Sequence, residues 1–204
     1  MKILALCGSA RQGGNTETAL KVVLNEAEAL GAETQFIRVN DKNLRGCTGC
    51  YGCVKAGRCV VLDDFGDIFD AMAEADCILM GTPVYHASVT AELKAVMDRA
   101  GFSGRWAKSA MQEKGTGYAW NGTTWSGKLF APVTAARRTG HTFAVAQLLL
   151  WASCNDLITI GNTYWNVSVS GKGGAMDALD DEEGIGNLKG LATRIVAAGK
   201  ALRQ

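Results

Sequence analysis

The stretch Lys2-Ile-Leu-Ala-Leu-Cys7-Gly8-Ser-Ala-Arg-Gln-Gly-Gly-Asn-Thr16 decides the fold. A continuous apolar run that ends in glycine is the pattern of a parallel strand buried on both faces. Helical spacing starts directly behind it: Leu20, Val23, Leu24, Ala27 and Leu30 recur on one face until Gly31, with Asn15 or Thr16 placed to cap the start. A strand, a glycine-rich turn and a helix make the first half of a βαβ unit, and the rest of the chain repeats the alternation. Residues 34–39 read as a second strand, mixed in polarity and suited to a sheet edge. Asp63 and Asp64 open a helix whose inner face is Phe65, Ile68, Phe69 and Met72, and residues 77–80 form the third strand. An amphipathic helix over 90–100, a strand over 128–134, an apolar helix over 139–153, a strand over 157–160 and a last helix over about 180–202 follow. Strands alternating with helices predict an α/β, doubly wound parallel sheet in one domain spanning residues 1–204.

Two features disturb this pattern. Pro132 lacks the backbone N–H that a central strand needs, so a bulge or a strand end is expected there. Residues 101–127, rich in glycine and carrying Phe102, Trp106, Tyr118, Trp120 and Trp125, form a long irregular insertion before strand four, which a compact domain rarely keeps without a use.

Composition narrows the function. With 21 basic and 20 acidic side chains the formal net charge is +1, so the electrostatic footprint of a nucleic-acid binder is missing. No apolar stretch approaches the roughly 18 residues of a membrane span, and the apolar start is too short for a signal peptide. A cytosolic location follows as the expectation. There thiols stay reduced, so the seven cysteines are not expected to form a disulfide framework, and the sequons at Asn121 and Asn166 carry no meaning.

Cys47-Thr-Gly-Cys50-Tyr-Gly-Cys53-Val-Lys-Ala-Gly-Arg-Cys59 packs four cysteines into thirteen residues. Such spacing brings several thiolates close enough to share a soft metal centre, an iron-sulfur cluster or zinc; free, redox-active thiols are the other reading. Cys7, Cys77 and Cys154 fall in predicted strands or on a helix and read as small buried apolar residues.

Two loops carry the remaining chemistry. In Gly8-Ser-Ala-Arg-Gln-Gly-Gly-Asn-Thr16, backbone N–H groups and the helix dipole favour an anion, and Ser9, Arg11, Asn15 and Thr16 line the turn. The pattern is neither the dinucleotide G-x-G-x-x-G nor a Walker loop. Gly81-Thr-Pro-Val-Tyr-His-Ala-Ser-Val-Thr90 leaves strand three at the same carboxyl edge, where doubly wound folds bind ligands. Pro83 and Val84 offer backbone groups to a polar ring edge, and Tyr85 an aromatic surface. His86 and His141 lack partners at ligand spacing and read as polar packing.

With these residues the chain resembles the flavodoxin-like NADPH-dependent FMN reductases, and within them the iron-sulfur flavoproteins. The carriers are Gly8-Ser-Ala-Arg with Asn15-Thr16, the cysteine cluster running into Asp63-Asp64-Phe65, Gly81-Thr-Pro-Val-Tyr85 with Leu93-Lys94 and Asp98-Arg99, and Asp181-Glu-Glu-Gly184. The resemblance implies a five-stranded parallel sheet in the order 2-1-3-4-5 with helices on both faces. It implies that Ser9, Arg11, Asn15 and Thr16 hold the FMN phosphate, that Pro83, Val84 and Tyr85 flank the isoalloxazine, and that Thr134, Ala135, Ala136 and Arg137 approach its far edge. Arg137 or Arg138 would place positive charge near the ring. It further implies a 4Fe-4S cluster on Cys47, Cys50, Cys53 and Cys59, although similar knots in flavoprotein relatives hold none.

The expected function is an FMN-dependent oxidoreductase in which the flavin does the chemistry. A cluster would pass single electrons between a ferredoxin-type carrier and FMN; without one, NAD(P)H would reduce the flavin for a quinone-like or other small-molecule acceptor. The alternative is a non-catalytic module that binds metal or senses redox state through the cysteine loop. A homodimer or homotetramer is expected, with the 101–127 insertion as cover for a neighbouring ring.

Overall fold

The computed structural model describes residues 1–107, 122–169 and 177–203. Tyr118 and Trp120 of the insertion lie outside the described residues. Strands β1 (Lys2–Cys7), β2 (Glu33–Arg38), β3 (Cys77–Pro83), β4 (Leu129–Ala136), β5 (Ile158–Thr159) and β6 (Val167–Val169) form one parallel sheet in the order β2-β1-β3-β4-β5, with β6 also paired to β4. Among the described residues the α-helices are α1 (Asn15–Ala29), α2 (Gly52–Ala56), α3 (Phe65–Glu74), α4 (Ala91–Ser103), α5 (His141–Cys154) and α6 (Glu182–Ala201). Among the described residues no helix is long and apolar enough to cross a membrane.

The period of two in each strand sorts the core into two layers. Ile3, Ala5, Cys7, Leu79, Ala131 and Val133 face α1 and α6, while Leu4, Leu6, Ile78, Met80 and Phe130 face α3, α4 and α5. Each fully buried Leu, Ile, Val, Met or Phe side chain among them contributes about 1.5–3 kcal/mol. β2 pairs with β1 alone, as its mixed polarity predicts for an edge. The ends of the insertion turn inward: Trp125 is fully buried, its Nε1 donates to Ala100 O at 3.0 Å, and its ring meets Phe69 edge-on.

Pro132 neither bulges nor ends its strand. β4 keeps continuous register with β3 through Met80 and Pro132. The break lies on the other flank. Phe130 O accepts from Ile160 N at 2.9 Å and Thr134 N donates to Asn166 O at 2.9 Å, so Phe130, Pro132 and Thr134 present their backbone polar groups to the β5–β6 side. β5 pairs with Leu129 and Phe130 and β6 with Thr134 to Ala136, so the missing N–H faces the gap between the two strands. Pro132 O is still satisfied, by Asn166 Nδ2 at 3.1 Å. An apolar hollow of about 400 Å³ opens beside it, lined by Val145, Leu149, Ile160 and Trp165.

Candidate functional site

All the strands are parallel, so the loops after β1, β3 and β4 leave from one edge, where doubly wound folds hold their ligands. The first is built around a buried carboxylate. Glu17 accepts from Gly13 N at 3.0 Å and pairs with Lys21 at 2.7 Å and Arg38 at 3.3 Å, and Arg38 Nη2 reaches Ala10 O at 3.3 Å. Burial alone would raise the Glu17 carboxyl. The Lys21 hydrogen bond, the Gly13 amide and the charges of Lys21 and Arg38 outweigh it and hold the group below its usual range. Ser9 Oγ accepts from Arg11 N at 3.2 Å inside the turn. Gly8 is forced by proximity: a Cβ there would stand 2.8 Å from Thr90 Oγ1 and 3.0 Å from Leu93 Cβ.

The expectation that Asn15 or Thr16 caps α1 is corrected. Gly14 holds the cap position and no side chain caps the helix. Asn15 Oδ1 instead accepts from Ala178 N at 2.9 Å, tying α1 to the segment before α6, and Thr16 is buried. An uncapped fifteen-residue helix behind an exposed Arg11 suits a phosphate.

The second loop is a strained turn. Tyr85 and Ser88 exchange backbone hydrogen bonds of 3.0 Å in both directions, across His86 and Ala87 at φ 49° and 61°. Two non-glycine residues in the left-handed region each cost about 1–2 kcal/mol. The turn is held from α5, where Gln147 Oε1 accepts from Ser88 Oγ at 2.9 Å and Val89 N at 3.3 Å. Val84 N donates to Ala135 O at 3.0 Å, and the Tyr85 ring is left half-exposed at the sheet edge.

Thr134, Ala135 and Ala136 are buried in β4 between β3 and β6, while Arg137 stands exposed after the strand. The hydroxyls of Thr90 and Thr134 are buried without a hydrogen-bond partner. The edge therefore combines an uncapped helix, an open aromatic face and two unpaired hydroxyls, and its residues fit a phosphate-bearing aromatic ligand such as FMN.

The cysteine loop leaves β2 and packs against α4. Asp63 and Asp64 clamp its two ends: Asp64 Oδ2 accepts from Asn43 N at 2.7 Å and Asp63 Oδ2 from Arg45 N at 2.9 Å. Asp63 lies at the head of α3, where its Oδ1 accepts from Phe65 N at 3.2 Å, but its main partner is Arg99. Arg99 is 2% exposed and donates from Nη1 to Asp63 Oδ2 at 2.6 Å and Arg45 O at 3.1 Å, and from Nη2 to Cys59 Sγ and Val61 O, both at 3.2 Å. The guanidinium also lies 4.1 Å from the centre of the Phe65 ring. Burial would raise the Asp63 carboxyl, yet the Arg99 hydrogen bond, the Arg45 and Phe65 amides and the Arg99 charge hold it below the usual range.

Cys47, Cys50, Cys53 and Cys59 line one small hollow with Tyr51, Phe102 and Arg99. Tyr51 is at φ 57° and turns its exposed ring edge-on to Phe102, 5.5 Å away. Gly52 sits where a Cβ would come within 2.4 Å of Val60 Cγ2. The Gly52 amide and the Thr48 hydroxyl lower the Cys50 thiol, whereas burial, then the neighbouring thiols, raises that of Cys53. Among the described residues no three metal-binding side chains are gathered tightly enough for one ion. By its chemistry, four thiols lining one hollow are a donor set for a soft metal centre, zinc or an iron-sulfur cluster.

All seven cysteines are free, and burial pushes up the thiols of Cys7 and Cys77. Cys154 is not the buried residue expected: it is exposed at the end of α5, where its sulfur accepts from Arg105 Nη2 at 3.2 Å. Sequence reasoning also passed over Glu17, Arg38 and the role of Arg99. The signal for Arg99 was its place on the inner stripe of α4, three residues after the buried Val96.

This is the fold and edge geometry of a flavin-binding protein, and comparison with known proteins places it further. The family model described as NADPH-dependent FMN reductase matches residues 1–172, and the chain belongs to that family. It is thereby an FMN-dependent oxidoreductase of flavodoxin-like fold. An iron-sulfur flavoprotein of Methanocaldococcus jannaschii is 29% identical over 212 residues, covering 100% of both chains. One of Archaeoglobus fulgidus is 30% identical over 213 residues, covering 100% of this chain and 98% of its own. Among solved structures a flavone reductase superposes with a TM-score of 0.74 at 21% identity, covering 100% of this chain, which spans 65% of that one. A flavodoxin from the domain Archaea gives 0.61 at 13% identity, covering 98% of this chain and 99% of its own.

Proposed function

We propose that this protein is an electron-transfer flavoprotein that takes electrons from a ferredoxin-type carrier and delivers them to a quinone-like or protein acceptor, with a 4Fe-4S cluster in its cysteine loop. The observation that carries the reading is the convergence of Cys47, Cys50, Cys53 and Cys59 on one hollow, braced by Arg99 and Asp63, beside a flavin-type sheet edge. The two full-length relatives named iron-sulfur flavoproteins support it.

FMN supplies chemistry in one- or two-electron steps when bound. Ser9, Arg11 and the uncapped start of α1 receive its phosphate, and Asn15 and Thr16 shape that turn. Pro83, Val84 and Tyr85 flank the ring, and Thr134, Ala135 and Ala136 close the floor at its far edge, where Arg137 favours negative charge. A cluster on the four cysteines would supply one-electron chemistry. Arg99 fixes the Cys59 sulfur from the protein side, while Cys47 and Cys50 stand at the exposed side of the loop. No second nucleotide fingerprint is present for a nicotinamide, so NAD(P)H is the secondary donor in this reading.

A homodimer or homotetramer completes the proposal. Phe143 and Leu150 on the outer side of α5 are about 70% exposed, an apolar surface suited to a neighbouring subunit. Light scattering at micromolar concentration checks it, and a monomer would end that part.

The direct test of function is anaerobic reduction by ferredoxin in wild type and Cys50→Ser. Loss of ferredoxin-driven flavin bleaching in the variant, with FMN still bound, supports the reading; unchanged bleaching contradicts it.

A further inference from the structure

The use of Arg99 reaches beyond bracing the loop. It comes from α4, yet its hydrogen bonds all go to the cysteine segment and its borders: Arg45 O before the first cysteine, Cys59 Sγ, Val61 O and Asp63 beyond the last. Asp63 and the Phe65 face fix the guanidinium plane, so Nη2 is directed at Cys59 rather than merely near it. Among the described residues this is a buried cation held in hydrogen-bond contact with one of the four thiol sulfurs, and Cys59 is the sulfur it singles out.

We propose that Arg99 is a positioning residue that tunes the cluster: its N–H···S bond to Cys59 raises the cluster's reduction potential and makes the iron on Cys59 distinct from the other three. The inference rests on the cluster reading above. Reduction adds one electron and breaks no bond, so the added negative charge is shared over the sulfurs. A hydrogen bond from a fixed cation to one of them stabilises the reduced form more than the oxidised form. Lysine at this position would keep the charge but lose the fork that serves Asp63 and Cys59 together.

The test compares wild type, Arg99→Lys and Arg99→Gln after anaerobic reconstitution with iron and sulfide. Iron, sulfide and flavin are assayed on each, followed by redox titration monitored by electron paramagnetic resonance. At the potential that half-reduces the wild-type cluster, the ratio of reduced to oxidised cluster in Arg99→Gln is expected to fall about tenfold, equivalent to 59 mV for one electron. The flavin potential should move far less, and Arg99→Lys should lie between. Wild type carrying [15N]arginine should also show a 15N coupling to the reduced cluster, and this readout stands even if the variants fail to fold. Equal cluster potentials in folded variants, or no 15N coupling in wild type, would overturn the role of Arg99 while leaving the cluster in place. Wild type that takes up no iron would overturn both, and that failure is recognisable because it appears before any variant is made.

Discussion

Arg99 Nη1 and Asp63 Oδ2 meet at 2.6 Å with both side chains 1% exposed, joining the middle of the α/β core to the end of the cysteine loop. Breaking such a pair by removing one partner strands a buried charge. Asp63→Ala is therefore expected to destabilise the protein by about 3–5 kcal/mol, measured by urea unfolding of the flavin-loaded protein. A change within about 0.5 kcal/mol, the range of an ordinary surface substitution, would mean that the pair is not desolvated in solution.

The same pair sets a pH dependence. The folded Asp63 carboxyl lies below its unfolded value, so its contribution is complete above the unfolded pKa near about 3.9 and is lost as pH falls through the lower folded value. The stability difference between wild type and Asp63→Asn should be constant from neutrality to about pH 5 and shrink in more acidic solution. A gap that widened on acidification would contradict the sign.

Arg11 is exposed at the phosphate turn and its backbone is fixed by Ser9. Arg11→Ala should raise the FMN dissociation constant about tenfold, roughly 1.4 kcal/mol, in a fluorescence titration. Riboflavin, which lacks the phosphate, should bind both proteins alike. An equal loss for the two ligands would move Arg11 away from the phosphate.

The strain at His86 and Ala87 can be relieved. Asn-Gly is the sequence that a turn with two left-handed residues prefers, so the double change His86→Asn with Ala87→Gly should stabilise the protein by about 1 kcal/mol. If the strain aids ring binding, FMN affinity falls in the same variant. A destabilised protein would show that the turn is not the one described.

Asn166→Ala removes the donor to Pro132 O and should cost about 1–3 kcal/mol. Pro132→Ala leaves its new N–H facing the gap between β5 and β6 and should cost a similar amount rather than strengthen the strand. Urea unfolding of the two variants checks this, and a Pro132→Ala protein more stable than wild type would contradict the assigned break.

The alternation of apolar strands and amphipathic helices made the sheet legible, since Ile3, Leu4, Ala5 and Leu6 announce burial on both faces. β6 escaped because Val-Ser-Val is too short to carry a period, and Pro132 misled because proline marks a missing donor without telling which neighbour is absent. At the site, the glycine turn and the four cysteines were readable as motifs. Glu17, Arg38 and Arg99 were not, because their roles depend on partners twenty or more residues away, as Glu17 with Arg38 and Arg99 with Asp63. The placement of the cysteine hollow was equally hidden. Arg99 stands nine residues beyond Thr90, about 13 Å along the axis of α4, so the thiols gather well down the helix from the residue that packs against Gly8.

The most direct measurement is an ultraviolet-visible spectrum of protein purified without oxygen, with iron, sulfide and flavin assayed on the same sample. A flavin band over broad iron-sulfur absorption is predicted, with about one FMN and about four each of iron and sulfide per chain. A clean flavin spectrum without iron, unchanged after anaerobic reconstitution, would contradict the cluster and leave an FMN reductase whose cysteine loop does other work.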